Sequence, residues 1–285
     1  MCLAQCVLGL GFLAMTSPTY NASAAFAVRM YPALDSLRNV TRDSPSADAW
    51  QAFARVGLDL AGYRSDGDTL LEDVIEALDH AIALRNPDRE LEAWAMAWID
   101  KGDALVQLMV YPSDREALLH EAKECYEIAI RALDRDAEPQ LSELWGWATA
   151  SFAQCLRGGE RLNGLRHAVA SLSEDRFQVQ RLSLVTEFRV SLIKSNVSPD
   201  EIRAAFEAEI ALFDAWKDSG YWQQWLDAQR AYGHWLVNVK DRSAAIRVLS
   251  TALATWGDGN EELKLTLDGL TRALKEAKEA YTLSN

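Results

Sequence analysis

The sequence predicts an all-α fold, built as a solenoid of stacked helix pairs. Three observations carry this. The 285-residue chain resembles itself at an offset of 48, so that Trp50 lands on Trp98, Ala54 on Gly102 and Leu60 on Leu108. Leu70 and Leu71 land on Leu118 and Leu119, Val74 on Ala122, Leu78 on Tyr126, Ala81 on Ala129 and Ile82 on Ile130. These positions are apolar or small and recur three or four apart, which is the spacing of a buried helical stripe. A repeated helix pair cannot cover its own apolar face and must stack on a neighbour. The composition agrees: Ala, Leu, Glu and Arg dominate, and prolines (7) and glycines (15) are few. Pro, Gly, Asn and Asp breakers separate the apolar stripes.

The elements follow in order. Residues 30–46 hold Pro32, Asp43, Ser44 and Pro45, and residues 28–46 are expected to form an irregular lead-in. Ser46 caps a helix of about 47–62, and Gly62 to Asp68 is a turn. Helix returns at about 69–85 until Asn86-Pro87 breaks it. A long helix over about 89–110 carries Trp94, Trp98, Leu105 and Leu108, and Tyr111 to Asp114 separates it from a helix of about 114–135. Pro139 opens a helix to about Leu156, Gly158-Gly159 turns, and a shorter helix covers about 160–173. A less regular helix spans about 176–195. Ser198-Pro199-Asp200-Glu201 then starts one that runs to about Asp218, with acids at the positive end of the helix dipole. The last pair is about 221–238 and 241–256. A C-terminal capping helix at 261–282 presents Leu263, Leu267, Leu270, Leu274 and Ala277 on one stripe and charge on the other. Residues 47–285 thus read as one repeat domain of about five helix pairs and a cap.

The first 28 residues carry no charge, and Val7 to Met15 is an apolar run followed by small residues at Ala22 to Ala27. Residues 1–27 therefore read as a leader segment with an A-x-A cleavage site. They point to an exported protein, periplasmic or secreted, although no Lys or Arg precedes the run. The alternatives are a start at Met30 or a helix packed on the first repeat. The run is too short to span a bilayer. Cys2 and Cys6 lie in this segment. Cys125 and Cys155 read as buried thiols, or as a bridge if the chain is exported.

A net charge of −13 with no basic cluster argues against nucleic acid. It makes a basic partner segment electrostatically easier. The four histidines, His80, His120, His167 and His234, stand far apart. Glu76 with His80 and Glu116 with His120 read as surface pairs, because zinc needs three or four closely spaced ligands. Asp66, Asp68 and Glu72 lack the full calcium-loop pattern, and Asp68 reads as a helix cap. No nucleophile, phosphate-loop or dinucleotide motif occurs, and no cofactor or metal is implied. The pairs Trp94/Trp98 and Trp222/Trp225 read as core.

Two pairs resemble tetratricopeptide repeats. Tyr232-Gly233 is followed by Ala245, Leu249 and Ala252, with a Gly-to-Ala interval of 12 residues, as that family's roughly 34-residue repeat expects. Trp98, Gly102 and Leu105 are followed by Ala122, Tyr126 and Ala129, with a longer interval of 20, and the Trp50 pair copies them. The pairs at 138–173 and 176–218 rest on helix alternation alone. The resemblance implies a right-handed solenoid of antiparallel pairs whose first helices line an inner curve that grips an extended peptide. Carried over through Gly102 and Gly233, the partner-binding residues are Met96, Ile99, Asp103 and Val106 in one pair, and Asp227, Arg230, His234 and Val237 in the other. In the earlier copy, Asp48, Gln51 and Arg55 take the places of Met96, Ile99 and Asp103. The expected function is a non-enzymatic scaffold for a protein or peptide. A ligand-sensing regulator and a helical enzyme without a local motif stand as alternatives.

Overall fold

The computed structural model describes residues 20–111, 114–133, 139–172, 178–195, 197–216, 220–256 and 264–282. They form twelve α-helices and no strand among them. The contacts divide the chain into two compact units, Met1–Phe177 and Gln178–Asn285, a division that no shift in composition marks. The leader-like residues 1–19 lie outside the described residues, as do Asn196 and residues 257–263.

Unit 1 holds α1 (Tyr20–Asp43), α2 (Ala47–Ala61), α3 (Gly67–Leu84), α4 (Pro87–Leu108), α5 (Arg115–Ala132), α6 (Pro139–Gln154) and α7 (Gly158–Ser171). Each packs on the next. In addition α2 touches α4 and α4 touches α6, so the first helices of successive pairs form one layer. The expected irregular lead-in is instead helix α1, which runs through Pro32. Proline removes one backbone donor and disfavours a helix interior. Burial of Leu34, 2% exposed, in the core shared with Phe53, Leu70 and Val74 offsets that cost.

The helix starts follow local chemistry. Ser46 Oγ accepts from the Ala49 amide at 3.2 Å, Asn86 Oδ1 from Asp88 at 2.9 Å, and Asp114 Oδ1 from Glu116 and Ala117 at 3.2 Å. Each satisfies amides that a helix start leaves without a partner. The expected cap Asp68 sits inside the first turn of α3. Asp66 holds the cap position without a side-chain bond to the helix, because its carboxylate takes Arg64 at 2.5 and 2.7 Å.

Unit 2 holds α8 (Gln178–Lys194), α9 (Pro199–Trp216), α10 (Trp222–Asn238), α11 (Arg242–Trp256) and α12 (Lys264–Thr282). Again each packs on the next, and α10 also touches α12. Asp241 Oδ1 caps α11 through Ala244 at 3.2 Å. The turn before it places Lys240 at φ 67°, a left-handed position that a side chain enters at a cost.

The pairs close where side chains are smallest. A Cβ placed on Gly102 would stand 2.5 Å from the Tyr126 ring, and one on Gly233 would stand 2.6 Å from Leu249. The α6–α7 pair, which matches the repeat pattern poorly, does the same: a Cβ on Gly164 would meet Ala153 at 2.8 Å, and one on Gly146 would meet Ser171 at 2.9 Å. Close approach of this kind lets ridges of one helix enter grooves of the next.

Candidate functional site

On α10 the residues Trp225, Leu226, Gln229, Tyr232, Gly233 and Leu236 are buried. That leaves Asp227, Arg230, Ala231 and His234 together on another face, at positions i, i+3, i+4 and i+7. On α12, Leu270, Ala273 and Ala277 turn inward. Gly269, Arg272, Ala273 and Glu276 repeat the same spacing there. The two faces line an open groove of about 490 Å³. Its floor is small (Ala231, Gly269, Ala273) and its walls are charged.

Arg230 is held in place from two sides. Its Nη2 donates to Asp227 Oδ1 at 2.9 Å, with both side chains about 40% exposed. Its guanidinium also lies across Gly269, where a Cβ would stand 2.8 Å from Nη1. Burial raises the Asp227 carboxyl above its ordinary range, and the Arg230 charge opposes that shift. His234, Arg272 and Glu276 are exposed and make no ion pair among the described residues. The groove thus offers guanidinium and imidazole donors, two carboxylate acceptors and little steric bulk. Groups of these types can hydrogen-bond a polar backbone and pair with charged side chains. Among the described residues no three His, Cys, Asp or Glu stand together as a metal site.

Of the eight expected binding residues, Asp227, Arg230 and His234 line this groove, and Val237 is half-buried one turn beyond it. The four on α4 are placed differently. Met96 and Ile99 are interior, 6% and 0% exposed, and Val106 is half-buried. The reason is that α4 packs against four helices, α2, α3, α5 and α6, whereas α10 packs against three. Asp103 turns toward α5, where the Tyr126 hydroxyl donates to its Oδ1 at 2.7 Å.

The earlier copy is also occupied by internal contacts. Arg85, with its side chain 2% exposed, donates to Asp48 at 2.8 Å, Gln51 at 2.7 Å and Glu90 at 3.3 Å. Gln51 and Arg55 in turn donate to Asp100 at 3.4 and 3.2 Å. These residues tie α2, α3 and α4 together. Lys101 does similar work between α3 and α5, with Nζ 2.8 Å from Asp79 and 3.2 Å from Glu121.

Sequence reasoning missed the α12 wall, because a terminal helix with one charged face reads as a solvated cap. The spacing Gly269, Arg272, Ala273, Glu276 was the available signal. His120 meets Glu124 at 3.3 Å rather than Glu116, while His80 meets Glu76 at 3.8 Å as expected. Cys125 and Cys155 are free buried thiols, raised by burial to about 12 and about 11. Trp94 and Trp98 meet edge to face at 5.9 Å, and Trp222 and Trp225 at 5.6 Å. Among the described residues no helix is long and apolar enough to cross a membrane.

This chain matches no protein-family model and no curated protein.

Proposed function

We propose that this protein is a non-enzymatic scaffold that holds a protein or peptide segment, and that the groove between α10 and α12 is its docking site. The proposal includes antiparallel, right-handed stacking of helix pairs within each unit, as in tetratricopeptide repeats. The single observation that supports it best is the groove itself: Arg230, anchored by Asp227 and laid over Gly269, with His234, Arg272 and Glu276 exposed around it. A guanidinium already fixed in place loses less freedom on binding than a free one. An extended segment laid along the small floor would meet donors for its carbonyls from Arg230 and Arg272. Asp227 and Glu276 would meet a basic side chain. The −13 net charge favours encounter with such a basic segment.

The test uses a displayed random-peptide library. Selected peptides, dye-labelled, are titrated against the full chain and against a variant carrying Arg230→Ala and His234→Ala. The double variant should keep its melting temperature and lose about tenfold or more in affinity, in line with losing one anchored charged contact. Equal affinity in both proteins, or no enrichment of any peptide, contradicts the proposal.

A further inference from the structure

The two charged residues that α12 gives to the groove stand one helical turn apart and leave each other free. Arg272 and Glu276 are exposed and make no ion pair among the described residues. A cation four residues before an acid is the weaker order for pairing within a helix. Lys275 and Glu279, in the same order on α12, still meet at 3.9 Å, but neither lines the groove. On the α10 wall Arg230 is already held by Asp227 at 2.9 Å and lies across Gly269. The charges open to an incoming segment are therefore a guanidinium and then a carboxylate along α12, with the His234 imidazole on α10.

The spacing of that pair fits one kind of chain. Four helical residues advance about 6 Å along the axis. Two residues of an extended segment advance about 6.7 Å, and their side chains fall on the same side. An extended segment lying along α12 thus brings side chains p and p+2 to Arg272 and Glu276 in step. A helical segment would match at i and i+4, but from Gly269 to Glu276 the groove wall runs only about 10 Å, which is seven helical residues. Isolated helices are marginal below about 12–15 residues, whereas three extended residues span the same length. The small floor of Ala231, Gly269 and Ala273 lets a backbone come close.

We propose that the groove reads an ordered charge pair in an extended segment: an acidic side chain against Arg272 and a basic one, two residues away, against Glu276. This rests on the reading of the groove as a docking site and adds what the docked segment must carry. Exchanging the two charges sets acid against Glu276 and base against Arg272, so the wrong order is repelled at both places. A shift of one residue turns both side chains away from α12. Turning the segment end for end restores the charge match but exchanges which carbonyls face the floor, where the Arg230 guanidinium is fixed. The net charge of −13 draws basic segments in general, yet the wall itself asks for an acid as well.

The test selects a displayed random-peptide library on the full chain. Enriched peptides should carry an acid and a base two residues apart in one constant order. The tightest of them is then synthesised, dye-labelled, beside a copy with those two charges exchanged. Wild type should bind the original about fivefold or more tighter than the exchanged copy, since exposed ion pairs each contribute little and two are reversed here. A variant carrying Arg272→Glu and Glu276→Arg keeps the net charge and should prefer the exchanged copy. Glu276→Gln alone should shrink the discrimination, which decides the matter even if the double variant does not fold. Enriched peptides without the pair or with it at i and i+4, equal affinity for the two orders, or a preference unmoved by the variants overturns the charge code while docking itself stands. No enrichment of any peptide overturns both.

Discussion

Arg189 and Glu209 meet as a buried ion pair inside unit 2, joining α8 to α9. Arg189 Nε donates to Glu209 Oε2 at 2.5 Å and Nη2 to Oε1 at 3.3 Å, while Thr186 donates to Oε1 at 2.6 Å. Glu209 is 1% exposed, and the guanidinium also covers the Phe206 ring at 4.7 Å. Such a pair is costly to break on one side only, because the remaining charge is left in a dry site. Glu209→Ala should therefore destabilise unit 2 by about 3–5 kcal/mol in urea unfolding. Replacing both partners, with Arg189→Met and Glu209→Leu, should recover most of that loss. A double variant no more stable than Glu209→Ala contradicts this reading.

The helix pairs are closed by glycine, so adding one carbon should push them apart. Gly102→Ala meets the Tyr126 ring and Gly233→Ala meets Leu249. Each should cost about 1–3 kcal/mol, the usual range for overpacking. Gly62→Ala serves as the control. It has open space and φ −67°, and should be neutral or add up to about 1 kcal/mol. Chemical denaturation of the three variants measures the contrast, and equal effects at all three sites would remove glycine from the account.

Asp103 also gives stability a direction in pH. Its folded value, about 7, lies above the ordinary 3.8, so the folded chain binds the proton more tightly than the unfolded one. The sign follows: this contribution is fully present below about pH 4 and is lost as pH rises through about 7. Asp100, raised by burial against the pull of Arg55, acts in the same sense. Urea midpoints for unit 1 should fall from weakly acid to neutral pH, and Asp103→Asn should flatten most of that slope. A slope unchanged by the substitution assigns it to other groups.

Much of the fold is legible in the sequence because its breaks are local chemistry. Asn86-Pro87, Pro139, Ser198-Pro199 and Asp241 each start a helix through a cap or a fixed φ, which needs only neighbouring residues. Helix α1 was hidden because Pro32 reads as a break, and only the tertiary burial of Leu34 shows otherwise. The α10 wall was readable from the offset to Gly233. The α12 wall was not, because contact between α10 and α12 is not a property of either helix alone. Met96 and Ile99 carry the same lesson in reverse: a position that faces outward in a helix pair becomes interior once α2, α3, α5 and α6 all pack against α4.

Gly269 offers an independent handle on the groove. The atom that its Cβ would meet is the tip of Arg230, which is flexible, so Gly269→Ala should fold as wild type does and yet displace the guanidinium. Peptide affinity should fall several-fold while the melting temperature moves by no more than a few degrees, within about 1 kcal/mol. A large drop in stability would mean that Gly269 serves packing rather than the groove.

The most direct test of the docking site is amide chemical-shift mapping on the isotope-labelled full chain, titrated with a library-selected peptide. The account predicts that the largest shifts cluster at Asp227 to His234 and at Gly269 to Glu276, the two faces of the groove. Saturable binding with its shifts centred on other helices, and these two stretches unmoved, would contradict it.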